Sequence, residues 1–97
     1  MSQVTVRVPG ALREFVGGER LVVVDVPAGE LPSVAAVLDL LSGSHPAFER
    51  RIRDETGALR EHVNVFVGSD NVRDLDRLST VIPPGAELIV LPAISGG

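Results

Sequence analysis

The sequence contains no cysteine. That single absence removes disulfides, thiolate metal sites and thiol nucleophiles together. It contains no lysine either, so all nine basic residues are arginine, a composition that codon bias in a GC-rich genome accounts for. No apolar run approaches the roughly 20 residues of a membrane span, and the opening Met1-Ser2-Gln3-Val4 lacks the layout of a signal peptide. A cytoplasmic protein without a membrane partner is expected. The net charge is −4 and no basic cluster is longer than Arg50-Arg51 with Arg53, which argues against a nucleic-acid partner.

What is present is a folded, globular composition. Of 97 residues 44% are hydrophobic, with Val and Leu prominent, and 23% are charged, which suits one domain with one modest core. No linker, repeat or low-complexity segment interrupts it. The expected division is a folded unit over residues 1–93 and a flexible tail over residues 94–97.

Hydrophobic periodicity places the elements. Val4 to Val8 alternates with period two and is stopped by Pro9-Gly10, which predicts a half-buried strand. Ala11 to Val16 fits a single helical turn. Gly17-Gly18 belongs to a hairpin connection, and Leu21 to Val26 is a second strand ended by Pro27. The period then changes. Val34, Val37, Leu38 and Leu41 lie at i, i+3, i+4 and i+7, one face of a helix with Ser33 as cap and Gly43 as stop.

Pro46 starts a shorter helical piece with Phe48 and Ile52 on one face, and Glu55 to His62 is a polar loop. Val63 to Val67 alternates again as a strand, and Gly68-Ser69-Asp70-Asn71 is a turn after which Val72 pairs back briefly. Pro83-Pro84-Gly85 is a turn before the last strand, Glu87 to Leu91.

This order predicts an α+β fold, a sheet of four to five strands with one main helix packed on one face. Val4, Val6, Val8, Val63, Val65, Val67, Leu88 and Val90 then point toward the helix. Phe66, Ile89 and Leu91 point to the open face with Thr5, Arg7 and Asn64. An exposed aromatic among aliphatics on such a face is a docking patch for a protein partner.

Conventional sites are poorly represented. No His and carboxylate spacing matches a metal site, and Gly17-Gly18 lacks the lysine and the context of a phosphate loop. His62 beside Arg60 and Glu61 is a solvated strand edge, and His45 is the residue that opens the second helix. Asp74 and Asp76 with Arg73 and Arg77 form a mixed-charge surface loop.

The sequence ends Leu91-Pro92-Ala93-Ile94-Ser95-Gly96-Gly97. Glycine makes up about 7% of ordinary sequence, so chance gives two in succession at roughly 0.5%. Lacking Cβ atoms, such a pair threads a narrow channel and brings a backbone carboxylate against another enzyme's catalytic groups. Four extended residues reach roughly 13 Å, and Ile94 and Ser95 would line the passage. The absence of lysine suits a chain with an activated terminus, which would find no side-chain amine of its own to acylate.

These features together resemble the ubiquitin-like sulfur carriers. They are the alternating first strand, the early helix, the Val-Asn-x-x-Val strand at Val63 to Val67, the Pro-Gly turn before an apolar strand, and the Leu-Pro-Ala-Ile-Ser-Gly-Gly end. The resemblance spans essentially the whole chain and implies the β-grasp fold. The group includes the small subunit of molybdopterin synthase, the thiamine-pathway carrier and the carrier of thiocarboxylate-dependent cysteine synthesis. The insert at Pro46 to Glu61, Val72-Arg73 after the turn and the Leu-Pro-Ala ending are most similar to the cysteine type. Ser95 departs from the small apolar residue of that tail and is closer to the molybdopterin type, so both pathways stay open.

The resemblance implies a carrier, not an enzyme. An E1-like adenylyltransferase and sulfurtransferase, with its own ATP and magnesium, would convert the Gly97 carboxylate to a thiocarboxylate. A downstream acceptor enzyme would take the sulfur. Gly96 and Gly97 are then the reactive end, Phe66, Ile89, Leu91, Ile94 and Ser95 bind partners, and the free protein is a monomer with no bound cofactor or metal. A ubiquitin-like module that is never activated and a modifier conjugated to amines are the alternatives.

Overall fold

The computed structural model describes residues 2–27, 29 and 31–92. Strand β1 (Ser2–Arg7) is followed by a 3-10 helix (Gly10–Val16) and β2 (Leu21–Val26). Helices α1 (Val34–Ser44) and α2 (Pro46–Ile52) precede β3 (Val63–Val67). Then come β4 (Asp70–Asn71), two single-turn 3-10 helices and β5 (Glu87–Pro92). The five strands form one mixed sheet in the order β2-β1-β5-β3-β4, with β1 and β5 parallel and the other pairs antiparallel. This is the α+β arrangement expected from the sequence.

Alternation fixes which face is dry. Val4, Val6, Val8, Val63, Val65, Val67, Leu88 and Val90 are all buried, in one cluster with Val34, Val37, Leu38 and Leu41 of α1 and Phe48 and Ile52 of α2. The whole set predicted to face the helix does so. Phe48 and Ile52 are almost completely enclosed, and each side chain contributes about 1.5–3 kcal/mol by leaving water.

Local chemistry sets the boundaries. The Ser33 hydroxyl accepts a hydrogen bond from the Ala36 N–H at 3.1 Å and caps α1 as predicted. The expected stop at Gly43 is not where the helix ends: α1 continues through Ser44. The actual terminator is Pro46, which disfavours helical backbone at the preceding residue, and His45 sits at φ −135°, ψ 69°.

A second correction concerns Asp70 and Asn71, which were expected in the turn. They form β4, paired Val67 to Asp70 and Phe66 to Asn71. Gly68 at φ 61° lets the reversal close within two residues. Val72, expected to pair back, instead opens a 3-10 helix with its side chain buried. Arg73 also departs from its predicted place in a surface loop. Half-buried, it donates to the carbonyls of Arg60 at 2.9 Å and Val63 at 2.7 Å, tying the preceding loop to the start of β3.

That loop is ordered by Asp54, whose carboxylate accepts from the Thr56 hydroxyl and N–H and from the Ala58 N–H. The Thr56 hydroxyl bond holds the Asp54 carboxyl below its ordinary range. Arg53 is the one basic side chain drawn into the interior, 9% exposed. Glu49 grips it through two hydrogen bonds and Asp39 through one at 2.8 Å. The Glu49 bonds raise its pKa, outweighing desolvation, so the guanidinium stays charged and joins α1 to the end of α2.

Among the described residues no helix is long and apolar enough to cross a membrane.

The position of Gly43 generates a prediction. It lies inside the exposed last turn of α1, and a Cβ built there meets nothing within 4 Å. Gly43→Ala should therefore stabilise the fold by about 0.5–1 kcal/mol. Chemical denaturation checks this, and a lower midpoint would show that the glycine is needed to end the helix.

Candidate functional site

The open face of the sheet is built by the residues that the alternation leaves outside. Register pairing sets Phe66 opposite Ile89, Asn64 opposite Leu91, and Arg7 opposite both Ile89 and Leu21. One row therefore runs Leu21, Arg7, Ile89, Phe66, Asn71 across all five strands. Phe66 and Ile89 are half-buried by their neighbours and Leu91 is 43% exposed. The structure thus brings the three predicted patch residues together on the outward face.

The face extends further than the sequence reading placed it. Leu21, 44% exposed, and Val23, 54% exposed, stand on the same side of β2. Their strand reads Leu-Val-Val-Val-Asp-Val, and with apolar residues on both faces the period-two signal disappears. Only Asp25, paired with Gln3 on the exposed side, marks the orientation.

Between Leu21 and Ile89 the Arg7 guanidinium binds both carboxylate oxygens of Glu87 at 3.1 Å. The hydrogen bonds that Arg7 donates to Glu87 raise its pKa, so the guanidinium stays charged. It forms a flat polar link between two apolar groups, and it is solvent-exposed on both sides. The edge of the row is held by Asn71, whose side-chain oxygen accepts from the Arg73 N–H at 3.0 Å.

The location of β5 gives this face its direction. β5 is flanked by β1 and β3, so the chain emerges from the middle of the sheet at Pro92. The predicted reactive and partner-binding tail residues Ile94, Ser95, Gly96 and Gly97 lie outside the described residues. The apolar row reaches the end of β5 through Ile89 and Leu91.

Two clefts border the same end of the sheet. One, of about 370 Å³, is lined by Arg7, Arg13 and Arg20 with Leu21, Ile89 and Leu91. The other, of about 460 Å³, is lined by Phe15, Arg50, Arg51, Arg60 and His62. His62 precedes Val63, which pairs with Pro92. His62 is exposed at the strand edge, as predicted, and His45 stands where α1 hands over to α2. Among the described residues no group of three or more His, Asp or Glu side chains is placed to hold a metal ion. Among the described residues the arrangement offers recognition surfaces.

Comparison with known proteins agrees with this geometry. The ThiS family matches residues 6–97. The sulfur carrier protein CysO of Mycobacterium tuberculosis is 32% identical over 96 residues, covering 97% of this chain and 98% of that protein. Small archaeal modifier protein 1 of Haloferax volcanii is 37% identical over 82 residues, covering 84% and 87%. In the crystal structure of the Amycolatopsis orientalis BexX/CysO complex, a chain 32% identical superposes with a TM-score of 0.79, over 97% of this chain and 99% of that one. The chain belongs to the ThiS family, with the ubiquitin-like β-grasp fold of the sulfur carriers it resembles.

Proposed function

We propose that this protein carries sulfur as a thiocarboxylate on the Gly97 carboxyl group. The observation that carries the reading is the family match extending through residue 97, on a fold whose described residues end on the central strand β5 at Pro92. The chemistry proceeds in two displacements. The Gly97 carboxylate attacks the α-phosphorus of ATP in an E1-like partner, which supplies the magnesium, and pyrophosphate leaves. Sulfide then attacks the acyl carbon and AMP leaves. Where the terminal sulfur of a partner persulfide attacks instead, a second partner thiol cleaves the resulting acyl disulfide, freeing the thiocarboxylate and leaving a disulfide on the partner.

The product is a sulfur nucleophile on an unhindered glycine. Its attack on an electrophile in an acceptor enzyme, followed by hydrolysis of the acyl bond, transfers the sulfur and restores the carboxylate. The chain acts in the cytoplasm as a free monomer that meets each partner in turn, and the acceptor belongs to a biosynthetic route to cysteine or another sulfur-containing metabolite.

The open face gives this terminus an address. Phe66, Ile89 and Leu91 dock the activating enzyme, and Ile94 and Ser95 line its channel as Gly96 and Gly97 reach the nucleotide. A second reading has its own support. Likeness to a small archaeal modifier protein favours conjugation to amines on other proteins, which begins from the same adenylate. The chain has no lysine of its own to be modified.

Intact mass after incubation with the E1-like enzyme, ATP, magnesium and a sulfur source separates the two. One oxygen replaced by sulfur is expected, and attachment to lysines of other proteins would favour the modifier reading. Deleting Gly97, or Gly96→Val, should abolish loading without unfolding the chain, because a β-branched side chain narrows the backbone's options beside the reacting carbonyl. Normal loading of the Gly97-deleted chain would overturn the carrier reading.

Phe66→Ala should weaken binding to the activating enzyme by about 1–3 kcal/mol and lower stability far less than Phe48→Ala, for which about 3–5 kcal/mol is expected. Equal stability losses with unchanged affinity would make Phe66 a packing residue only.

A further inference from the structure

The net charge of −4 conceals a basic end. The two clefts beside Pro92 draw arginines from four separate stretches of chain: Arg7; Arg13 and Arg20; Arg50 and Arg51; and Arg60. The 3-10 helix Gly10–Val16 stands between the clefts, giving Arg13 to one and Phe15 to the other, so they form two halves of a collar around the end of β5.

Arg7 is neutralised by Glu87, and Arg53, outside the collar, by Glu49 and Asp39. Among the described residues Arg13, Arg20, Arg50, Arg51 and Arg60 make no ion pair, and no carboxylate lines either cleft. Of the acids nearest in sequence, Glu14, Glu19 and Glu61 are exposed, Glu49 is held by Arg53, and Asp54, bound to Thr56 and Ala58, also feels the charge of Arg60. Asp25 and Asp70 lie toward the opposite end of the sheet, opposite Gln3 and Val67.

Several of these guanidinium groups are already held in place. Arg51 lies over the Phe15 ring, 4.6 Å from its centroid. Arg60 donates its Nε–H to the Arg50 carbonyl at 2.8 Å, and Arg13 donates its own to the Val8 carbonyl at 3.1 Å. Among the described residues the other N–H groups of these side chains make no hydrogen bond. A planar fork of donors fits a carboxylate with two parallel bonds, a geometry that lysine does not offer.

We infer that the collar docks an acidic protein surface surrounding the pocket that receives the tail. It rests on the carrier reading for which partner presents that surface, and it adds the partner's chemistry. Two features select a protein over a nucleic acid. The arginines are interleaved with Phe15, Leu21, Ile89 and Leu91 rather than laid in a continuous stripe, and the collar is continuous with the apolar row of the open face. In a joint interface the apolar row holds the partner, while the collar steers its approach and fixes the rotation of the tail.

The test titrates the arginine Nε–H signals with poly-L-glutamate. Shifts confined to Arg13, Arg20, Arg50, Arg51 and Arg60 are expected, vanishing at molar salt where the Debye length is about 3 Å. Among the described residues the Arg20 and Arg50 side chains make no hydrogen bond, so the double variant Arg20→Glu/Arg50→Glu should keep its melting temperature and lose the peptide shifts. Its association rate with the E1-like enzyme at low salt should fall about tenfold or more. Arg20→Gln/Arg50→Gln should fall in the same direction by less.

Unmoved arginine signals, shifts spread over the whole chain, or equal displacement of the peptide by a duplex DNA oligonucleotide would each overturn the inference. A chain that binds the peptide in this pattern and is never thiocarboxylated would leave the collar standing and refute the carrier reading.

Discussion

A sheet that is dry on one face and wet on the other allows each strand only one choice, and that choice determines most of this molecule. Once Val63, Val65 and Val67 are committed to α1, Phe66 has nowhere to go but outward, and Ile89 must meet it there because β5 is paired in the same register. The external row is therefore the complement of the core. Slipping β1 or β3 by one residue would bury Arg7 or Asn64 and expose a run of valines, desolvating polar groups and wetting apolar ones at once. Core and recognition face are specified by the same period.

That coupling explains what could be read in the chain and what could not. Strands with polar outward residues, such as Gln3-Val4-Thr5-Val6-Arg7, declare their faces. Leu21 to Val26 hides its own, since the open face there is apolar too. Pro46 ended α1 where Gly43 was expected to, because the restriction on His45 acts through the proline ring, whereas glycine in an exposed last turn only weakens a helix that tertiary packing sustains. Asp70 and Asn71 suit turns by propensity, yet Gly68 alone accomplishes the reversal and frees them to pair. Arg53 and Arg73 look like surface charge in sequence. Their roles depend on Asp39, Glu49 and carbonyls brought near by folding.

The basic end is the clearest case of information that sequence order scatters. No window of the chain is strongly basic, and the overall charge is negative. Folding collects arginines from the connections after β1, from α2 and from the loop before β3, while two of the nine are cancelled by carboxylates elsewhere. The two clefts at the end of β5 are thus lined by arginines and by no carboxylate, although the molecule as a whole carries net negative charge. On the proposed reading the division of labour is consistent: the carrier brings a terminus, an apolar face and a charge pattern, and the catalytic groups belong to its partners.

The central position of β5 bears on how the molecule comes into being. β1 and β5 are separated in sequence by all the other elements of the fold, yet they are neighbours in the middle of the sheet. Until β5 has been synthesised, β1 and β3 share no partner, and half of the hydrophobic layer has no floor. Completing the sheet therefore waits on a long-range pairing, the slow and non-local order that such topologies impose. A chain without β5 would leave β1 and β3 with no shared partner and their buried faces open to solvent, the kind of exposed apolar surface that invites aggregation and proteolysis.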